Sequence, residues 1–246
     1  MARPSYLVLD IETVVDPALP QAATGEGHGL PPPPFHEIVV IGVLWMGPDY
    51  ATRRLGIIGD GKDEAAALGD FSRFVTERKP DLVTYNGRRF DLPVIAARCL
   101  RHGISFPHYY GAREVRYRFS PTGHLDLMDF LTDFGASRAS RLDVMARTIG
   151  MPGKVGVAGK DVGPLVHAGK LDEVQAYCLC DVVQTTALFL RVQLLRGELD
   201  RDGYRAAVRG LLDKADDDPR LAPVASGADR PRLLLEPDES AEPAAD

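Results

Sequence analysis

Leu7-Val8-Leu9-Asp10-Ile11-Glu12-Thr13 decides how the rest of this sequence is read. Three apolar residues lead without a break into two acids one residue apart. A short apolar run of this kind, spanning residues 5–11, is a buried central strand, and in a strand residues i and i+2 share a face. Asp10 and Glu12 therefore project together where that strand ends.

Two other stretches bring further acids. Tyr177 and Asp181 lie four apart in a stretch that reads as one long helix from Leu171 to about Arg196, so they occupy one face of it. Asp91, in Tyr85-Asn-Gly-Arg-Arg-Phe-Asp-Leu-Pro-Val-Ile95, opens a helix over Leu92–His102 that Gly103 closes. Asp91 precedes Pro93 by two residues and is also a good N-cap. Three elements thus aim four carboxylates at one point. Such a cluster repels itself unless cations sit between its members, and hard oxygen donors suit Mg²⁺ or Mn²⁺, with two ions balancing four charges.

Working outward, residues 37–46 read as a strand and 50–58 as its hairpin partner across Gly47-Pro48-Asp49. Asp63 to Lys79 has helical spacing that Pro80 stops, and 81–87 is a short strand ending in a turn. Residues 104–124 look irregular, 126–134 and 142–149 read as short helices, and 150–170 as a Gly-rich connector. A hairpin followed by a crossover helix predicts an α/β fold, a mixed central sheet with helices on its faces. Residues 16–35 form a Pro/Gly-rich loop. The Asp-, Pro- and Ala-rich stretch 214–246 reads as a disordered acidic tail behind a domain spanning 1–213.

Of 246 residues, 45% are hydrophobic and 26% charged, which suits an ordinary globular protein. No apolar run reaches the ~20 residues of a membrane span, and the N-terminus runs into the first strand without a signal-peptide layout. Three cysteines, Cys99, Cys178 and Cys180, make no disulfide framework. The expected location is cytoplasmic, with no membrane partner. Cys178 and Cys180 have no companion pair at zinc spacing and read as core thiols. The net charge is −6, of which the nine acids and four bases from Lys214 onward contribute −5. The body is therefore near neutral, which permits a polyanionic substrate but argues against avid duplex binding through a broad basic surface.

Several residues admit two readings. Ala112-Arg-Glu-Val-Arg-Tyr-Arg-Phe-Ser120 interleaves bases with aromatics. Read as a strand, it puts Arg116 and Arg118 on one side and suits either a single-stranded nucleic acid or a solvated edge. Arg88 and Arg89 meet phosphates or offset the acids. Lys154 and Lys160 are candidates for backbone contacts. Asp126 and Asp129 support the metal site or cap a helix, with capping the better fit. Asn86-Gly87 is a common turn pair, and Phe90 suits either a core position or a stack on a terminal base.

Leu9-Asp-Ile-Glu-Thr13, residues 85–95 and Tyr177-Cys-Leu-Cys-Asp181 together resemble the three motifs of the DEDD, or DnaQ-like, 3′–5′ exonucleases over residues 5–195. Tyr177 matches the DEDDy branch. The second motif most resembles the proofreading domain of family B DNA polymerases and stand-alone exonucleases like it. The resemblance implies a ribonuclease-H-like fold, with Asp10, Glu12, Asp91 and Asp181 as metal ligands and Tyr177 positioning the attacking water. It implies contacts from Thr13, Asn86 and Phe90 to the terminal nucleotide. The reaction implied is two-metal hydrolysis, with Mg²⁺ or Mn²⁺, of a single-stranded or frayed DNA 3′ end to 5′-mononucleotides, RNA being the alternative substrate. A nucleic-acid-binding or scaffold module with little activity is the rival reading. Acids at all four positions argue against it, because a binding module has no need to hold four repelling carboxylates together.

Overall fold

The computed structural model describes residues 4–19 and 31–237. Five strands, β1 (Tyr6–Val15), β2 (His36–Met46), β3 (Thr52–Ile57), β4 (Asp81–Thr84) and β5 (His124–Asp126), form one sheet in the order β3-β2-β1-β4-β5. β1 lies at its centre, antiparallel to β2 and parallel to β4. β3 pairs antiparallel with β2, and β5 parallel with β4. The expected mixed sheet is present. β5 is an addition: three residues are too few to show a period of two, and by pattern alone they run into the start of a helix.

Helices cover both faces. On one lie α1 (Glu64–Arg78), α2 (Asp91–His102), α3 (Pro107–Gly111) and α4 (Arg113–Arg116). The rest are α5 (Leu127–Leu131), α6 (Leu142–Thr148), α7 (Val162–His167), α8 (Leu171–Leu195), α9 (Arg201–Asp216), α10 (Ala222–Gly227) and α11 (Arg230–Leu234). β1 shows how the layers are assigned. Leu7, Leu9 and Ile11 share a core with Leu68, Phe71, Val94 and Ile95 of α1 and α2. Tyr6 and Val8 share the other core with Leu179, Val183 and Phe189 of α8. By the period of two, Asp10 and Glu12 continue the Tyr6–Val8 set and face α8.

α8 is long and apolar enough to cross a bilayer, but 78% of its most apolar stretch is buried within the protein, which makes it the central helix of the core. Gly42, opposite Asp10 on β2, lets it approach: a Cβ there would lie 2.6 Å from Cys178 Sγ.

Arg98 of α2 knits the sheet to its helices. It is 2% exposed. Its guanidinium donates through Nε and Nη2 to Glu64 of α1 at 2.6 and 2.5 Å, and through Nη1 to Asp16, just beyond β1, at 2.5 Å. Glu64 Oε1 also accepts the amide of Ile38 in β2 at 2.7 Å. Asp16 begins the expected Pro/Gly-rich loop, so that end of it is anchored. Residues 20–30 of the loop lie outside the described residues.

Two expectations need correction. Residues 104–124 are not irregular throughout, since they hold α3 and α4, and the alternative reading of 112–120 as a strand fails too: Arg113–Arg116 form a helical turn, closed by the Tyr117 amide on the Arg113 carbonyl at 2.8 Å. The alternation of bases and aromatics is not an inside–outside pattern, because Val115 alone in the turn is buried. Order also does not end at Asp213, which lies inside α9. The following α10 and α11 pack on α8 and α9, with Leu221, Val224 and Leu233 fully buried. Two of the acids that suggested disorder are helix starts instead: Asp218 accepts the Arg220 amide and Asp229 the Arg232 amide. Residues 238–246 of the expected tail lie outside the described residues.

Candidate active site

Asp10, Glu12, Asp91 and Asp181 converge at the end of β1. Asp10 and Glu12 arrive on the strand face that meets α8, and a β-bulge follows directly between Glu12 and Thr13. Asp181 comes from α8. Asp91 comes from the opposite layer but sits at the start of α2, where its Oδ1 accepts the Ile11 amide at 3.2 Å. It is the first helical residue, with Phe90 as N-cap, and its carboxylate meets both its own amide in the first turn of α2 and the strand end.

Burial and mutual repulsion act on all four. Asp10 is held well above the ordinary carboxylate range, first by burial, then by Asp91, Glu12 and Asp181. Glu12, 9% exposed, is raised by burial and by Asp181 and Asp91. Burial pushes Asp91 to about 7, with Asp126 adding to it, although the bond from Ile11 opposes the shift. Asp181 is pushed to about 6 by burial and by Asp143, against the bonds from Tyr177 and Gln184. No lysine or arginine among the described residues pairs with any of the four. Four carboxylates held without a cationic side chain are a donor set that fits hard divalent cations.

Tyr177, one turn before Asp181 on the same helix face, has its hydroxyl near the Asp181 carboxylate and lowers the pKa of that acid. Burial and the neighbouring acids raise its pKa above the usual value of 10. In the metal-free protein the phenol therefore keeps its proton at neutral pH.

Cys178 belongs to the site's surroundings. Its thiol donates to Asp10 Oδ2 at 3.4 Å, and its sulfur lies within 4.8 Å of ligand atoms of both Asp10 and Glu12. The sequence carries no signal for this, because a residue beside Tyr177 need not face the same way. Asp143 of α6 is a second unforeseen neighbour, close enough to raise Asp181. Asp126 does cap α5, accepting the Met128 amide at 3.0 Å, and it also accepts the Asn86 and Arg88 amides, both at 2.9 Å. It thereby fixes the turn that leads to Asp91. Arg88 meets backbone carbonyls, not the acids, and Arg118 is tied to Asp129 at 2.8 Å.

The three candidates for substrate contact lie on this turn and on β1. Asn86 adopts φ +70°, and its Oδ1 is buried without a partner. Gly87 after it is required by space: a Cβ would lie 2.5 Å from Thr84. Phe90 is half-buried and meets the His36 ring edge-on at 5.0 Å. His36 Nε2 lies 2.8 Å from the Pro31 carbonyl, so that nitrogen carries the proton and Nδ1 accepts the Thr13 hydroxyl at 2.9 Å. Beside Tyr177 and Asp181 opens a cleft of about 400 Å³ lined by Arg141, Asp143, Lys154 and Lys160.

A family of predicted 3′–5′ exonucleases related to the exonuclease domain of PolB matches residues 30–222. The protein belongs to that family. The match contains Asp91, Tyr177 and Asp181, while Asp10 and Glu12 lie before it and are brought in by the central position of β1. Among solved structures, the PolB-related chain is similar to the family B DNA polymerase of the hyperthermophilic archaeon Pyrobaculum calidifontis. The TM-score is 0.55 at 19% identity, over 94% of this chain and 27% of the polymerase. It also aligns with E. coli exonuclease I in complex with a dT13 oligonucleotide, at a TM-score of 0.40 and 14% identity, over 82% of this chain and 46% of that one. The chain thus spans about a quarter of the polymerase and just under half of exonuclease I. A comparison with curated proteins finds no match. The fold shared with the polymerase is the ribonuclease-H-like one expected, a mixed sheet flanked by helices.

Proposed function

We propose that this protein is a metal-dependent 3′–5′ exonuclease that removes terminal nucleotides from single-stranded or frayed DNA ends. The observation that carries the reading is the convergence of Asp10, Glu12, Asp91 and Asp181 from three elements with no lysine or arginine among the described residues in an ion pair with them. Family membership agrees with it. The cleft beside the acids, of about 400 Å³, has the volume of a small-ligand pocket, which favours one terminal nucleotide over an intact duplex.

The four carboxylates would hold two divalent cations, Mg²⁺ or Mn²⁺. When bound, such ions neutralise charge on the phosphate and supply a deprotonated water. Water attacks the terminal phosphorus, the bond to the 3′ oxygen of the preceding nucleotide breaks, and a 5′-mononucleotide departs. Tyr177, protonated and one turn before Asp181 on α8, orients the water. Thr13, Asn86 and Phe90 border the terminal nucleotide, and Lys154 and Lys160 face its phosphates.

The test is hydrolysis of a 5′-labelled single strand, as DNA and as RNA, with Mg²⁺, Mn²⁺ or EDTA. The expected result is a metal-dependent ladder shortening from the 3′ end, with DNA preferred; no cleavage with either metal contradicts the reading. Tyr177→Phe should lower the rate about 10- to 100-fold, the scale for a group that orients a ligand. A variant as inactive as a metal-ligand variant would make the phenol an obligatory proton carrier. Metal binding is read separately: Mn²⁺ in hundredfold excess over its Kd should stabilise the protein by about 2.7 kcal/mol. An unchanged melting temperature in Mn²⁺ would favour the binding-module alternative.

A further inference from the structure

The segment between α2 and β5 presents a surface that the active site does not use. Tyr110, Tyr117 and Phe119 are 58%, 48% and 56% exposed. Exposed arginines lie over these rings: Arg113 over Tyr117 at 5.4 Å, and Arg116 over Tyr110 at 5.1 Å. Tyr117 and Phe119 meet edge to face with centroids 5.9 Å apart. Neither Arg113 nor Arg116 forms an ion pair among the described residues, whereas their neighbour Arg118 is engaged by both oxygens of Asp129.

This surface is fastened to the catalytic turn. Arg88, three residues before Asp91, donates to the carbonyls of Val115 and Arg116 at 3.3 and 3.4 Å and to that of His124 at 2.8 Å. Val115, 1% exposed, pins the turn from below and leaves its other side chains to solvent.

We propose that Tyr110, Arg113, Arg116, Tyr117 and Phe119 form a platform for the single strand that leads into the active site. Unpaired guanidinium groups complement phosphates, and exposed rings offer stacking faces that any base can use. An apolar protein partner has no use for the arginines, and a duplex hides the base faces that the rings would stack on. The direction of the strand rests on the exonuclease reading; binding to the platform does not.

The experiment measures binding of a long single-stranded DNA by fluorescence anisotropy in EDTA, using the full chain carrying Asp181→Asn. Two sets of substitutions are added to it, Arg113→Gln with Arg116→Gln, and Tyr117→Ala with Phe119→Ala. Each set should weaken binding about tenfold or more. The arginine pair should also make the slope of log affinity against log salt shallower by about 1.4, or roughly 0.7 for each phosphate no longer neutralised. With Asp181 restored, dinucleotide hydrolysis should be unchanged by either set, because a dinucleotide does not reach the platform. Unchanged long-strand binding overturns the proposal and leaves the surface to a protein partner. A parallel fall in dinucleotide hydrolysis also overturns it, since the segment would then act by shaping the site. Should the protein cleave nothing, the binding measurement still decides the platform, and only the exonuclease reading fails. The arginine pair, exposed and outside the core, keeps the test valid if the aromatic pair impairs folding.

Discussion

Asp181→Asn should lower hydrolysis on the order of 10³-fold or more, the scale on which loss of a group stabilising the transition state is felt, while making the metal-free protein more stable. The two effects have one cause. Asp181 stands among Asp10, Glu12 and Asp143 with burial against it, and folding raises its pKa to about 6. A carboxyl whose folded pKa exceeds its unfolded value binds its proton more tightly in the native state. Its favourable contribution is complete below about pH 4 and is lost as the pH rises through 6. Asparagine has the same shape, keeps an acceptor for Tyr177 and never ionises. In EDTA the variant should therefore melt close to the natural sequence under acid conditions and above it at neutral pH, the gap opening as the pH passes about 6. Added Mn²⁺ should close or reverse that gap, because the natural site gains the cation more tightly. Scanning fluorimetry over pH with and without metal, beside the hydrolysis assay, reads all of this. A variant that is inactive and also less stable at neutral pH in EDTA would mean that Asp181 holds the fold together rather than straining it. Asp10→Asn should behave in the same way, since Asp10 meets the other three acids and its pKa is also raised.

Arg98→Ala is expected to have the largest effect on stability, a loss of about 3–5 kcal/mol, lowering the melting temperature by roughly 10 °C. Arg98 is the shared partner of Asp16 and Glu64, whose side chains are 3% and 8% exposed. Removing it strips two buried carboxylates of their main cationic partner, leaving Asp16 with Arg101 at 3.3 Å and Glu64 with His102 at 2.7 Å, and the cost comes from the carboxylates more than from the lost bonds. Burial raises the pKa of Asp16 and Glu64, but the bonds and charge of Arg98, together with Ala18 and Arg101 at Asp16 and Ile38 and His102 at Glu64, outweigh it and hold both below the ordinary range. Their contribution is present above the unfolded pKa near 4 and is lost as the pH falls through the lower folded values. In the natural sequence this pair adds acid sensitivity; in the variant that component should shrink, leaving what Arg101, His102 and the Ala18 and Ile38 amides supply. A denaturant titration near neutral pH gives the magnitude, and a loss below about 1 kcal/mol, the usual worth of an exposed pair, would show that water reaches the network.

The contrast between these two sites bears on why one is read as functional. Both hold buried acids from several elements. At Arg98 each carboxylate has a guanidinium and the cluster is closed. At the end of β1 no lysine or arginine among the described residues pairs with the acids, and under the proposed function the cations come from solution.

Much of this arrangement was legible locally. The alternation within Tyr6–Glu12 put Asp10 and Glu12 on one strand face, and the 3.6-residue period put Tyr177 and Asp181 on one helix face, because both periodicities are properties of a single backbone element. The end of α2 at Gly103 followed from the same kind of reasoning, whereas the cap of α1 at Asp63 emerged only in the structure. What depends on contacts between elements was not legible. Asp91 looked like an N-cap, and only the approach of β1 to α2 gives it the Ile11 amide instead. Cys178 and Asp143 carry no local mark, since their nearness to Asp10 and Asp181 comes from the packing of α8 on the sheet and on α6. The acidic C-terminal stretch looked unable to form a core by its composition, yet Leu221, Val224 and Leu233 need only a partner surface, which α8 and α9 supply. The sequence alone determined which residues share a face on each element. The tertiary structure decided which faces meet, because that choice rests on non-local burial that no window of sequence contains.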